Sequence, residues 1–236
     1  MIIAIDGPAG AGKSTVSKLL AKRLGFVYLD TGAMYRALAW AFAKNGQEAP
    51  SGEESLCAML AQMELRFAIE NERLAISCGG KTLSEELRSP EISEAASKIS
   101  RLPAVREFLV DRQRRLAIQA TGIVTEGRDT ATVVFPNAEL KVFLTADIRT
   151  RAKRRLAEYL EKGASMSLEQ TERLIAERDE ADSRRDHSPL RPAQDSVYLD
   201  TSGLAIEEVV EKLGEMAEKL GSGKKRAEAG SGKREA

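Results

Sequence analysis

The stretch Gly7-Pro8-Ala9-Gly10-Ala11-Gly12-Lys13-Ser14-Thr15 holds the residue types needed to cradle a polyphosphate. Glycines let successive backbone N–H groups turn inward as an anion nest, and a helix opening at the end of the loop adds positive potential. Lys13 is placed to reach β- and γ-phosphates, and the Ser14 hydroxyl is the candidate ligand for Mg²⁺. The stretch follows the buried run Ile2–Ile5 and precedes Val16, Leu19, Leu20 and Leu24 at helical spacing. That strand–turn–helix context separates a P-loop from a glycine-rich turn with an exposed lysine.

A P-loop does not say which group receives the phosphate, so the other cations matter. Asp30 or Thr31 can cap a helix that carries Arg36 one turn in. Arg36 then either grips a phosphate through bidentate bonds or points to solvent. Gly127-Arg128-Asp129 follows the apolar run from Ile123. Groups outside a strand's carboxyl end face the ligand crevice of an open α/β sheet. Arg128 is therefore a phosphate-ligand candidate and Asp129 an acceptor for a sugar hydroxyl or amino group, against the plainer reading of a loop ion pair. Arg149, Arg151, Lys153, Arg154 and Arg155 put five cations in seven residues with no acid among them. They form either a solvated helix face or a lid that neutralises developing charge and excludes water. Arg178, Asp182 and Arg185 lie at i, i+4 and i+7 on one helical face, as internal ion pairs or as a ligand-facing row. His187, the only histidine, is given no role, because phosphoryl transfer asks little proton chemistry of the protein.

The elements that must position these groups are legible as runs. Ile2–Ile5, Phe26–Leu29, Ile123–Thr125, Leu140–Leu144 and Val197–Leu199 read as five buried strands with helices between them, hence a parallel α/β sheet. Residues 46–103 break this rhythm. Leu65, Phe67 and Ile69 alternate, as do Leu74, Ile76 and Cys78, with a turn at Asn71-Glu72-Arg73 between them. That is hairpin patterning. Helical stretches follow at Ser84–Arg88 and Glu91–Ser100, and Pro103 suits the first turn of a longer helix. The expected organisation is a core of 1–45 and 104–220, an inserted subdomain at 46–103 and a lid region at 149–186. Residues 221–236 lack any large apolar side chain and read as a disordered tail. Trp40 is expected in the core of the second helix.

Charge and composition exclude some functions. Lys and Arg number 36 and Asp and Glu number 36, so the chain lacks the basic excess that coats nucleic acid. The tail holds five of those cations and two of the acids, leaving a slightly acidic body. No apolar run approaches the length of a membrane span. The N-terminus has no basic region before its first acid, and Cys57 and Cys78 lack metal or redox spacing. Both observations lead to the expectation of a cytoplasmic protein with reduced cysteines.

Together these residues resemble the bacterial-type cytidylate kinases, nucleoside monophosphate kinases with a P-loop. The resemblance spans about Ile2 to Leu220. It is carried by Gly7–Thr15, Leu29–Arg36, Ala95-Ala96-Ser97, Pro103–Arg106, Gly127–Pro136, Arg178–Arg185 and Ser188-Pro189-Leu190. Thr31 stands where the family often has serine, and Thr130-Ala131 where it more usually has Ile-Gly. The resemblance implies an α/β core with a five-stranded parallel sheet, a monophosphate-binding insert with a small antiparallel sheet, and a helical lid. It implies transfer from ATP, with Mg²⁺, to CMP or dCMP, no nucleic-acid or membrane partner, and a monomer. By position, Ser97, Arg106 and Arg185 would read the cytosine ring, and Arg36 and Arg128 would hold the acceptor phosphate near Thr31. Arg178, Asp182 and Asp129 would meet sugar or phosphates, with Lys13, Arg128 and Arg178 catalytic. Arg151, Arg154 and Arg155 would belong to the lid. Two other readings use the same P-loop: a kinase for shikimate or a different nucleoside monophosphate, and a slow ATP-hydrolysing switch.

Overall fold

The computed structural model describes residues 1–231 apart from 45, 47–49, 51, 162 and 164. Five strands run parallel: β1 (Ile2–Asp6), β2 (Val27–Asp30), β6 (Ile123–Gly127), β7 (Leu140–Thr145) and β8 (Val197–Asp200). They sit in the order β2-β6-β1-β7-β8. Each predicted run forms its strand, extended at the carboxyl end by one residue, or by Glu126 and Gly127 in β6, while β2 starts at Val27 rather than Phe26.

Burial on both faces explains the apolar runs. Ile3 and Ile5 of β1 face a core closed by α1 (Lys13–Leu24) and α8 (Ile206–Ser231), with Leu20, Val209 and Leu213. Ala4, on the other face, packs with Leu29, Met34, Leu38 and Leu109 under α2 (Thr31–Lys44) and α5 (Pro103–Ile118). The alternation follows the two-residue period of a strand.

The insert contains α3 (Glu53–Gln62), β3 (Leu65–Glu70), β4 (Arg73–Cys78), β5 (Lys81–Thr82), a 3-10 turn at Glu85–Arg88 and α4 (Pro90–Ile99). The hairpin turn is Asn71-Glu72, both with positive φ, and Arg73 already pairs with Glu70. Its antiparallel strands are not a separate sheet. β4 pairs with β2 through Tyr28 and Arg73, so core and insert form one eight-stranded sheet. The five parallel strands and the antiparallel strands of the insert are both present, and the single bridge between them joins strands far apart in sequence, which no local periodicity reveals.

Two further helices, α6 (Ile148–Glu161) and α7 (Leu168–Ser183), occupy the proposed lid region. The α7 start is a capping box of Ser167 and Gln170. Trp40 is only half-buried. Its ring lies under the ammonium groups of Lys44, 4.9 Å away, and of Lys81 on β5, 5.7 Å away.

α8 extends through Ser231 into the stretch expected as a tail, and residues 232–236 lie outside the described residues. Lys, Arg, Ala and Glu dominate 224–229 and are good helix formers. Propagating an existing helix avoids the unfavourable nucleation step. Among the described residues no helix is long and apolar enough to cross a membrane.

Candidate active site

Strand order reverses around β1, and the carboxyl ends of β1, β2 and β6 open on one crevice, as in other doubly wound sheets. The loop from Gly7 leaves β1 there and ends at Gly12, whose φ of 88° only glycine adopts readily, just before Lys13 opens α1. Lys13 is buried and its Nζ donates to the Pro8 carbonyl at 2.7 Å. Burial, then the nearby Arg128, pushes its pKa from 10.5 down to about 7, against the raising influence of Glu126. An ammonium this poorly solvated is prepared for an anionic partner.

Two carboxylates missed by sequence reasoning anchor this crevice. Glu126, the last residue before Gly127, accepts from the Ser14 hydroxyl and from Tyr28 Oη at 3.0 Å. Asp6, the residue before the loop, is buried and accepts from Thr130 N at 2.9 Å, Thr130 Oγ1 at 2.7 Å and Ala131 N at 2.7 Å. Burial raises its carboxyl to about 6 despite those donors. The only sequence signal for either was an acid at the carboxyl end of a buried strand. These bonds also settle what Thr130-Ala131 does. Both residues lie in a single π-helical turn, Thr130–Val134, tied to β1 by side chain and backbone, with the Ala131 methyl buried in the core.

The predicted acceptor residues converge beside this turn. Arg106 pairs with Asp129, both buried, donates to the Ser100 carbonyl at 3.1 Å and lies 5.6 Å over the Tyr35 ring. Asp182 is buried between two cations, with Arg128 Nε at 2.7 Å and Arg185 on its other oxygen. Burial raises its pKa, but Arg128 and Arg185 outweigh burial and hold the carboxylate below its usual range. Arg178 is lowered to about 10 by burial and by Arg128. Arg36 donates to Asp30 Oδ2 at 3.0 Å, which also accepts from Ala33 N through Oδ1 at 2.8 Å and so caps α2. Thr31 donates to the Glu126 carbonyl at 2.6 Å, and Ser97 is half-buried on α4. Arg36, Arg106, Arg178 and Arg185 each bury an Nε that has no hydrogen-bond partner. Buried donors are normally paired, so four orphans on the predicted acceptor residues mark a place for a polar ligand.

The α6 cations divide. Arg149 and Lys153 are exposed. Arg151 is buried and donates to the carbonyls of Ala146 and Ala9, each at 2.9 Å. Arg154 donates to the Thr201 carbonyl at 2.8 Å. Expected as lid side chains, these two are held by protein acceptors because α6 starts directly against the loop. Arg155 pairs with Glu158 at 2.6 Å and stacks on Tyr159. His187 and Cys57 are exposed.

A polyphosphate nest facing a cluster of buried arginines across the ends of a parallel sheet defines a P-loop phosphotransferase. The sequence model of the family described as cytidylate kinase matches residues 3–219. The cytidylate kinase of Geobacter sulfurreducens is 45% identical over 213 residues, 90% of this chain and 91% of that protein. Those of Carboxydothermus hydrogenoformans and Streptococcus pneumoniae (strain 70585) are 46% and 48% identical, over 90% and 92% of this chain and 95% and 97% of theirs. The chain belongs to the cytidylate kinase family.

Proposed function

We propose that the chain transfers the γ-phosphoryl group of ATP to CMP or dCMP, giving ADP and the diphosphate. The observation that carries this reading is the set of four orphaned guanidinium Nε atoms, on Arg106 beside Asp129, on Arg178 and Arg185 near Asp182, and on Arg36 beside Asp30. Such a reaction is catalysed by positioning and charge stabilisation rather than by a nucleophilic side chain. Gly7 to Thr15 hold the donor phosphates, and Lys13, Arg128 and Arg178 spread positive charge where it develops on the transferred group. Arg36 and Arg128 hold the acceptor phosphate near Thr31. Arg178, Asp129 and Asp182 complete the sugar and phosphate contacts. The segment with α6 and α7 acts as the lid, with Arg155 closing over the phosphates and water excluded.

The residues present fit Mg²⁺. The Ser14 hydroxyl and the Glu126 carboxylate lie together at the loop. One hydroxyl and one carboxylate, completed by water and phosphate oxygens, suit this ion. Bound there, Mg²⁺ supplies charge neutralisation on the β- and γ-phosphate oxygens.

For the base, Ser97, Arg106 and Arg185 line one end of the acceptor site. Cytosine presents a bare N3 and a 4-amino donor, which suit a guanidinium beside a carboxylate such as Arg106 with Asp129. Uracil reverses both groups and leaves buried polar atoms unpaired. The reading extends to a cytoplasmic monomer acting on small nucleotides, with neither nucleic acid nor membrane as partner. ADP release measured across CMP, dCMP, UMP, AMP, GMP and shikimate tests it. CMP and dCMP are expected to turn over, with UMP at least about a hundredfold lower in kcat/KM. Turnover of shikimate without CMP would overturn it.

A further inference from the structure

Three peptide groups of the phosphate loop are gripped by side chains. The Pro8 carbonyl accepts from Lys13 Nζ at 2.7 Å, and the N–H of the same peptide, on Ala9, donates to Asp179 Oδ1 at 2.9 Å. The Ala9 carbonyl accepts from Arg151 Nη1 at 2.9 Å, and the Ala11 carbonyl lies 3.4 Å from Arg154 Nη1. Arg151 also pairs with the second oxygen of Asp179. One residue of the loop, Ala9, is thus bracketed at its N–H and at its carbonyl by a single ion pair. The two partners come from α6 and α7.

The contact is close enough to be specific. A Cβ on Gly10 would lie 2.8 Å from the Arg151 carbonyl oxygen, and φ at Gly10 is +74°. Arg151 is itself immobilised by Ala146 and buried to 8% exposure. Among the described residues no peptide is cis, and in a planar trans peptide the N–H points opposite the carbonyl. A carbonyl of Ala9 held outward by Arg151 therefore turns the Gly10 N–H inward. The same reasoning applies to Ala11 and Gly12 through Arg154.

We infer that Arg151 and Asp179 are positioning residues for the donor nucleotide: they touch no substrate, but orient the loop's N–H groups toward the polyphosphate. The inference rests on the loop holding the donor phosphates and is independent of the acceptor's identity.

Binding of ADP and of CMP to Asp179→Asn, Arg151→Met and the double variant, measured by calorimetry beside thermal unfolding, tests it. Each single variant is expected to weaken ADP about tenfold to a hundredfold, the loss of a charge-assisted hydrogen bond, while CMP stays within about twofold. The double variant is expected to add little to the worse single one, because the pair acts as a unit. ADP affinity within about twofold of the parent, or equal weakening of ADP and CMP, would overturn the assignment. Where Arg151→Met fails to fold, Arg151→Lys keeps the charge, loses the fork and gives the same comparison. A parent protein that itself binds no ADP would overturn the phosphate-loop reading instead, a result distinct from variants that bind normally.

Discussion

Nucleotide binding should pull a proton out of solution, and Lys13 should be where it lands. The lysine is buried among Arg128, Arg178 and the loop, with its pKa pushed from 10.5 to about 7. At pH 8 a group of that pKa is only about one-tenth protonated, whereas a polyphosphate beside it restores the ammonium. Binding of ADP at pH 8 is therefore expected to take up about 0.9 proton, falling to about 0.1 at pH 6. Calorimetry in buffers of different ionisation enthalpy reads this number directly, and the terminal phosphate of ADP is already deprotonated at pH 8. Lys13→Met is expected to abolish the uptake, and Lys13→Ala to lower kcat/KM by about 10²–10³. No buffer dependence at pH 8, or the same dependence in Lys13→Met, would refute the reasoning. The same shift has a sign for stability. Between pH 7 and 10.5 the folded state binds fewer protons at Lys13 than the unfolded state, so this group makes stability rise with pH there, by up to about 1.4 kcal/mol per pH unit. Asp6 acts oppositely in a separate window. Its pKa is raised from 3.8 to about 6, so its contribution falls as pH rises through that range.

Three substitutions probe the rest of the site. Asp182→Ala leaves Arg128 and Arg185 buried without their partner, and about 3–5 kcal/mol of stability should be lost in urea unfolding. CMP should weaken more than ADP, and equal weakening would make Asp182 purely structural. Glu126→Gln should raise the Mg²⁺ concentration for half-maximal rate about tenfold, and an unchanged midpoint would remove Glu126 from the metal site. Gly127→Ala would put a Cβ 2.7 Å from Thr130 Cγ2 and 2.9 Å from Thr31 Oγ1. Overpacking of this kind costs about 1–3 kcal/mol, and the KM for CMP should rise while that for ATP holds.

Local signals carried the P-loop, the five parallel strands, the hairpin and the Pro103 helix start, because each depends on periodicity or on a turn within a few residues. What escaped depends on partners far along the chain. Glu126 meets Ser14 across 112 residues and Asp6 meets Thr130 across 124, so both looked like the polar ends of strands. Arg151 looked like one of five similar cations until Ala9 and Asp179, 142 and 28 residues away, separated it from its neighbours. The cysteines and His187 offered residue types of equal chemical interest, and the fold leaves Cys57 and His187 exposed and Cys78 half-buried.

The sole tryptophan gives this protein a built-in optical gauge. Trp40 rides on α2, the helix that starts at Thr31 and carries Arg36, yet one of the two cations over its indole, Lys81, belongs to the insert. Any swing of the insert against the core changes that indole's electrostatic surroundings, and hence its emission, without a label. Stopped-flow traces of intrinsic fluorescence could then time the approach of the acceptor-binding segment separately from chemistry. Lys81→Met would identify which part of the signal comes from the moving partner.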